Sequence, residues 1–169
     1  ARVLQRFAQG FSVSASGLYA HASGTNSTAS GVYSHAQNRL TTASATCSSA
    51  QGEGTTASGT ASHAEGMFST ASALTAHAEG YNTDATSNYS HAEGYGTNAE
   101  GTASHAQGYL TTGSGLYSHA EGRQTEAIGN SAHAEGQTSV AEGDVAHAEG
   151  FGCTASGYAS HAGGFESTA

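Results

Sequence analysis

The sequence predicts an all-β protein, a two-sheet parallel β-solenoid with two heptads in each coil and about 12 coils. Three observations predict it: a gapless seven-residue repeat, an alternation typical of strands within each repeat, and very small residues at the inward positions. From Ala8 to Ala169 every seventh residue is alanine except Gly113, and no insertion breaks the register. Glycine follows two residues after these alanines, except where the sequence has Asn38, Ala45, Ala73 and Ser87.

Two kinds of heptad alternate, so the true repeating unit is a pair of heptads. One kind reads Ser-His-Ala-Glu-Gly, as in residues 62–66, and the other reads Thr-Thr-Ala-Ser-Gly, as in residues 55–59. Small residues occupy the first, third and fifth places and mostly polar ones the second and fourth, which is the alternation of a strand with one inward face. We therefore expect the glycine to form the bend at the end of each strand.

A coiled coil also has a period of seven, but it requires large apolar residues at two heptad positions. Here those positions hold alanine, serine and glycine, so the helical alternative fails. Coils stacked at about 4.8 Å would form a rod about 55–60 Å long. Because alanine methyl groups bury little apolar surface, we predict that the roll associates with copies of itself.

Composition excludes several classes of protein. Four basic residues against thirteen acidic ones, with a net charge of −9, argue against nucleic-acid binding. The absence of proline excludes collagen, and no apolar run is long enough for a membrane span, so we expect no membrane insertion by this segment. Cys47 and Cys153 lie too far apart in the repeat for a disulfide, and we predict small-residue roles for them at a bend or in the interior.

The sequence predicts a single repeat domain. Residues 1–5 are interpreted as the end of a preceding segment and residues 6–169 as one β-roll repeat domain, a piece of a longer fibre.

These heptads resemble the head domain of the trimeric autotransporter adhesins, the YadA-like family, whose heads repeat Ser-Val-Ala-Ile-Gly and Ser-x-Ala-x-Gly with two heptads to a coil. The resemblance covers Ala8 to Ala169. It implies a left-handed parallel β-roll, a homotrimer, and an exported protein used for attachment. Similar Ser-His-Ala-Glu-Gly repeats resemble those of bacteriophage and prophage tail-fibre proteins.

The chain departs from the family motif beside the central alanine, where the family has apolar residues that help to close the trimer. Residues 125–129 and 139–143 each keep one of the two apolar residues, Ile128 and Val140. Elsewhere histidine and glutamate, or threonine and serine, usually take those places, so the apolar contacts that close the family's trimer have no direct equivalent there.

All histidines fall in a single column, and most are followed two residues later by an acid or its amide. We favour the interpretation that this histidine column is buried or faces the trimer interface, because it varies far less than the threonine-rich column of the other heptad. The alternative is that the column forms an outer surface that binds a ligand or a metal. Rungs of three histidines could hold a metal or an anion, but a hydrogen-bonded ladder needs neither, so we predict no metal and no cofactor. The trimer-interface candidates are His21, His35, His63, His77, His91, His105, His119, His133, His147 and His161, with Glu65, Glu79, Glu93, Glu121, Glu135 and Glu149.

Tyrosine and phenylalanine concentrate in the bend positions after each motif. The bend that follows the histidine heptad has an aromatic residue or methionine in several coils. The opposite bend is lined by Tyr19, Tyr33, Tyr89 and Tyr117. These edges can pack against neighbouring subunits, which we favour, or form an adhesive ridge. The candidate binding edge consists of Met67, Tyr81, Tyr95, Tyr109, Phe151 and Phe165.

The sequence therefore predicts the structural and attachment segment of a trimeric extracellular fibre that binds a host-surface protein or glycan receptor. The fibre would belong to a bacterial cell surface or, as the alternative, to a phage tail fibre in which this segment is a shaft. An enzyme is not expected, because ten near-equivalent histidine environments do not separate catalytic roles. A remote alternative, an ice-binding solenoid, rests on Thr28, Thr42, Thr56 and Thr70, but Asp84, Asn98 and Glu126 interrupt that face.

Overall fold

The computed structural model describes residues 5–169, so residues 1–4 of the predicted preceding segment lie outside the described part. The chain winds as a solenoid with two sheets, one of twelve strands and one of eleven. Every strand pairs in parallel with the strand one coil away, and each residue stands opposite its equivalent two heptads further along, as His77 does with His91. The predicted two-sheet solenoid with two heptads per coil is confirmed.

The two sheets differ in strand length. The first sheet contains β1 (Phe7–Phe11), β3 (His21–Thr25), β5 (His35–Arg39), β7 (Ser49–Glu53), β9 (His63–Met67), β11 (His77–Tyr81), β13 (His91–Tyr95), β15 (His105–Tyr109), β17 (His119–Arg123), β19 (His133–Ala134), β21 (His147–Phe151) and β23 (His161–Phe165). The second sheet contains β2 (Ser14–Ala15), β4 (Thr28–Ala29), β6 (Thr42–Ala43), β8 (Thr56–Ala57), β10 (Thr70–Ala71), β12 (Asp84–Ala85), β14 (Asn98–Ala99), β16 (Thr112–Gly113), β18 (Glu126–Ala127), β20 (Val140–Ala141) and β22 (Thr154–Ala155).

The interior between the sheets is made of alanine, serine and threonine. Ala64 of β9 and Ala71 of β10 are completely buried, as their equivalents are along most of the roll. Ser62 is also buried, and its hydroxyl donates a hydrogen bond to the carbonyl of Gly59 at 2.7 Å. Small side chains at these places allow the two sheets to lie close together, and bend carbonyls satisfy several of the buried hydroxyls.

The glycine of the histidine heptad does not form the bend, and this part of the prediction was wrong. Gly66 lies within β9 rather than after it, with φ of +97°. A Cβ atom there would stand 2.1 Å from the carbonyl oxygen of Gly80 in the next coil. A side chain is disfavoured at this position because the backbones of successive coils approach closely. Among the equivalent positions of the described chain, Asn38 alone carries one, with φ of +87°.

The glycine of the threonine heptad does lie at a bend, as Gly59 does, where its carbonyl accepts a hydrogen bond from Ser62 N at 3.1 Å. The positions with a left-handed backbone are mostly filled by other residues. Every seventh residue from Ser12 to Glu166 has φ between +48° and +65°, and only Gly54, Gly96 and Gly152 in this series are glycines. From Asn26 onward the amide of each such residue donates a hydrogen bond to the coil before it, as Phe68 N donates to Glu53 O at 2.8 Å. Stacking of one coil on the next therefore holds non-glycine residues in a left-handed conformation that they adopt reluctantly alone.

The cysteines occupy the two kinds of place predicted for them. Cys47 is exposed at a bend, Cys153 is buried in the serine and threonine column of the interior, and both are free. In the part of the chain that the structure describes, no helix has the length and apolar character needed to cross a membrane.

Candidate functional site

The histidines form a continuous face on the outside of the long-strand sheet. In β9, Ala64 faces the interior while His63 and Glu65 on either side are partly exposed. Neighbouring imidazole rings along the stack lie with their centroids 4.7–5.0 Å apart. Ser49 interrupts the column, and Phe7 extends it beyond His21 with an edge-on ring contact at 4.7 Å. We call this surface, the histidine column with the acid and amide column beside it, the His–Glu face.

The His–Glu face lies outside the chain's own core, so the buried interpretation is wrong for a single chain. The side chains of His63, His77, His91, His119 and His147 are 35–40% exposed. Only small side chains fit between the closely packed sheets, which forces the larger imidazoles outward. Whether this face meets a neighbouring chain stays a prediction.

Imidazole and carboxylate groups approach each other in two patterns along the His–Glu face. In four strands the pair lies on the same strand, with Nε2 to carboxylate oxygen distances of 3.2, 3.6, 3.7 and 3.6 Å in His63–Glu65, His77–Glu79, His91–Glu93 and His119–Glu121. Towards the C-terminus each histidine instead reaches the glutamate of the preceding coil, at 3.5 Å in His147–Glu135 and 3.2 Å in His161–Glu149. Only the 3.2 Å pairs have hydrogen-bond distances, so most of the predicted histidine–glutamate hydrogen bonds do not form within the chain.

Burial, together with the charge of neighbouring histidines, favours the uncharged form of several histidines. Burial lowers the pKa of the His77 imidazole below 6.5, and the nearby His91 and His63 lower it further. The pKa values of His35, His105 and His133 are lowered in the same way, first by burial and then by their histidine neighbours. At neutral pH these rings are therefore free bases, each with one nitrogen able to accept a proton or a cation.

The carboxyl groups of neighbouring coils also affect one another's ionisation. Burial raises the pKa of the Glu79 carboxyl, as do its hydrogen bond with Glu93 and the charges of Glu93 and Glu65. At Glu121 desolvation also opposes ionisation, but hydrogen bonds with Glu135 and Gln107 and the neighbouring histidines outweigh it and lower the pKa of that carboxyl. Where glutamates occupy adjacent coils, as Glu65, Glu79 and Glu93 do, their charges repel one another unless a proton or cation lies between them.

A shallow groove runs along the same sheet. Its floor is the backbone of the glycines within the long strands, among them Gly80 and Gly94, and Glu65, Glu79 and Glu93 line it. A second stretch continues past Gln107 and Glu121. Because the glycines carry no side chain, the carboxylates are open to solutes from this side.

The candidate binding edge lies at the ends of the long strands and not in a bend. Tyr81 is the last residue of β11, and its ring stacks on that of Tyr95 at 4.9 Å, which in turn stacks on Tyr109 at 5.1 Å. Arg123 lies 6.0 Å from the centre of the Tyr109 ring. Met67 precedes this stack, and Phe151 and Phe165 stack at 5.3 Å further along. The structure therefore brings all six predicted edge residues into one column, interrupted by Arg123 and Gln137.

The second aromatic set does lie at a bend, as predicted. Tyr19 and Tyr33 have left-handed backbones and stacked rings 5.1 Å apart, whereas Tyr89 and Tyr117 stand singly and exposed. The sequence analysis overlooked the position just before this bend, where leucine recurs in the same place of several coils and is exposed at Leu74 and Leu116. The recurrence at the full period was the signal that could have found these leucines.

The threonine column lies on the outer face of the short-strand sheet. Thr28, Thr42, Thr56 and Thr70 are half-buried and their strands are only two residues long. The column then continues through Asp84 and Asn98. The two outer faces therefore differ in chemistry, one basic and acidic with long strands and the other mainly hydroxylic with short ones.

Three groups of side chains on the His–Glu face combine enough donors to hold a metal ion. Within each group one donor atom per residue lies within 4.8 Å of the others. The prediction of no metal rested on a hydrogen-bonded histidine ladder, and the periodicity of the sequence does not reveal these distances. The groups are His91, Glu93 and His105; Glu121, His133 and Glu135; and Glu135, His147 and Glu149.

Comparison with known proteins supports the fold and its repeats. Residues 14–37, 50–72 and 120–146 match the family model described as the YadA head domain repeat. Among curated proteins, none matches the chain. The solenoid keeps the same two-heptad register through the matched stretches and between them. The resemblance to the YadA head domain is thus confirmed for these three stretches, which wind as part of one parallel β-solenoid.

Proposed function

We propose that this chain is the structural and attachment segment of a homotrimeric extracellular fibre, an adhesin-like head on a bacterial surface that binds a host protein or glycan. The YadA head domain repeats support an adhesin-type segment rather than an enzyme. The single observation that carries the proposal is the length of exposed apolar surface: the strand-end column includes Met67, Tyr81, Tyr95 and Tyr109, each 38–46% exposed. Continuous exposed apolar surface of this kind is typical of interaction sites.

Association into a trimer would bury the apolar surface that a single roll does not bury in its own core. Its interior consists of alanine methyls, serine and threonine hydroxyls and Cys153, so the core buries little apolar surface for its length. We propose that the His–Glu face forms the contact between chains, because it has the longer strands and repeats one side chain along almost the whole roll. The left-handed winding implied by the family belongs to the same proposal.

The contact face is tested by placing charge on each sheet in turn. His77→Glu with His105→Glu adds carboxylates to the His–Glu face, and Thr56→Glu with Thr112→Glu is the matched change on the other sheet. Light scattering after size exclusion, with a chelator present, should show a trimer for the original chain and for the threonine-face variant, and a monomer for the histidine-face variant. A monomeric original chain overturns the trimer, and the reverse pattern overturns the assignment of the face.

The attachment surface is tested with the stacked tyrosines. Changing Tyr81, Tyr95 and Tyr109 to serine should abolish binding to host cells, because aromatic side chains supply much of the energy at binding surfaces. The matched control changes Tyr33, Tyr89 and Tyr117 at the opposite bend and should bind normally. Protease or glycosidase treatment of the cells then separates a protein receptor from a glycan. A folded trimer that binds no cells, even unmutated, would instead indicate a fibre shaft such as the tail-fibre alternative.

A further inference from the structure

The donor groups on the His–Glu face have geometry that hydrogen bonding does not explain. Nε2 of His91 lies 3.7 Å from a Glu93 oxygen, and Nε2 of His147 lies 3.5 Å from a Glu135 oxygen. These separations exceed the usual range of about 2.7–3.2 Å for an N–H···O hydrogen bond. Two ligands of one tetrahedral Zn²⁺, each about 2.0–2.1 Å from the ion, lie about 3.3–3.4 Å apart. The pairs are therefore spaced much as two ligands of a single metal ion are.

The imidazole nitrogens at these places have no other partner. Nε2 of His91, His105, His133 and His147 is shielded from solvent and makes no hydrogen bond in the described chain. A shielded polar atom without a partner is costly, and a neutral imidazole nitrogen is a common metal ligand. The carboxylates stacked next to these rings repel each other, and a divalent cation would relieve that repulsion.

We propose that the His–Glu face binds Zn²⁺ between adjacent coils, at two places. One ion is held by His91, Glu93 and His105, which join β13 to β15. The second place is centred on Glu135, which is shared by the group with Glu121 and His133 and the group with His147 and Glu149. Mixed imidazole and carboxylate ligands suit zinc, and three protein ligands leave a fourth position for water.

A zinc ion bound in this way would link neighbouring coils of the solenoid. Each group takes ligands from neighbouring turns of the solenoid, so a bound ion joins turns that are otherwise held by backbone hydrogen bonds and small side chains. The groove past Glu93, Gln107 and Glu121 gives ions a path from solvent. Binding to the folded chain alone then raises its stability in proportion to the logarithm of the free ion concentration.

Zinc titration of the full chain, stripped with a chelator, tests the proposal by calorimetry and by metal analysis after dialysis. We expect at least two Zn²⁺ per chain and a rise in melting temperature with zinc. Glu93→Gln should remove one ion, Glu135→Gln should remove all binding at the second place, and the two together should bind none. Glutamine keeps the size of the side chain, and far-UV circular dichroism checks that each variant is folded.

Glu65→Gln is the matched control, because Glu65 lies in the same column but belongs to none of the three groups. It should leave the stoichiometry and the zinc-dependent melting unchanged. The proposal is overturned if the original chain binds no zinc, or if Glu65→Gln reduces binding as much as Glu93→Gln and Glu135→Gln do. All ligands come from one chain but lie on the proposed contact face, so zinc is added to the chelator-stripped chain both before and after assembly. A monomer that binds zinc overturns only the trimer, and a chain that binds no zinc in either state overturns only the zinc site.

Discussion

The alanine column of the short-strand sheet has one gap, at Gly113, and filling it should stabilise the protein. Gly113 lies between Ala99 and Ala127 of the adjacent coils. A Cβ atom at this position would stand 3.2 Å from the carbonyl oxygen of His105, 3.3 Å from Oγ of Ser118 and 3.5 Å from Cβ of Ser104. The nearest atom, the backbone oxygen of His105, must give way by a few tenths of an ångström, but alanine occupies the same place in both adjacent coils. The Ser118 hydroxyl can move because it makes no hydrogen bond.

In Gly113→Ala the hydroxyl of Ser118 can turn towards its bend carbonyl, as the Ser62 hydroxyl does towards Gly59. The new methyl group contributes about 0.8 kcal/mol by burial, and replacing glycine reduces the freedom of the unfolded chain by about 0.4–1 kcal/mol. We therefore expect unfolding to require about 1–2 kcal/mol more, a rise in melting temperature of about 2–8 °C. Thermal and urea unfolding at fixed protein concentration, followed by circular dichroism, measures both.

Gly52→Ala is the matched control. Gly52 has φ of +111°, and a Cβ atom there would lie 2.0 Å from the backbone carbonyl oxygen of Gly66, which cannot turn aside. This variant should lose at least about 1–3 kcal/mol. If Gly113→Ala were destabilising, or if both variants behaved alike, the reasoning from coil spacing and backbone conformation would be refuted.

Two further predictions concern the bends and the histidines. Val145 is an exposed β-branched residue with φ of +59°, a left-handed conformation that strains its backbone and that asparagine adopts more readily. Val145→Asn should therefore raise the free energy of unfolding in urea by about 1 kcal/mol. An unchanged urea midpoint would show that the backbone at this bend is not strained. The pKa values of His35, His77, His105 and His133 are lowered in the folded chain, so around and below pH 6.5 the unfolded chain binds more protons than the folded one. The metal-free protein should therefore have its full contribution from these groups near pH 7.5 and lose stability as the pH falls towards 5.5. A urea midpoint that is flat over this range would show that stacking does not disfavour the charged imidazoles.

Most of the architecture was predictable from the sequence because it follows from periodicity. A gapless spacing of seven residues with alanine at its centre determines which side chains face inward, how many residues make a coil, and that His63 and Glu65 share one outer face. These properties depend on alternation along one strand and on repetition, and both can be read along the chain.

Contacts between coils decided the rest. The strands of the two sheets have different lengths, the glycines of the histidine heptads lie within strands, and the bends contain left-handed residues as unlike as Tyr33 and Thr75. Hydrogen bonds to the neighbouring coil impose these features, so the local sequence does not reveal them.

In the candidate site, too, some features follow from the sequence and others only from the tertiary structure. The sequence by itself determined that the histidines and acids form parallel columns that repeat every second heptad. Only the tertiary structure decided that His91, Glu93 and His105 bring their donor atoms together and that Glu135 approaches the histidine of the following coil. Distances between side chains on different coils depend on rotamers and on the stagger of stacked strands, which a one-dimensional pattern does not contain.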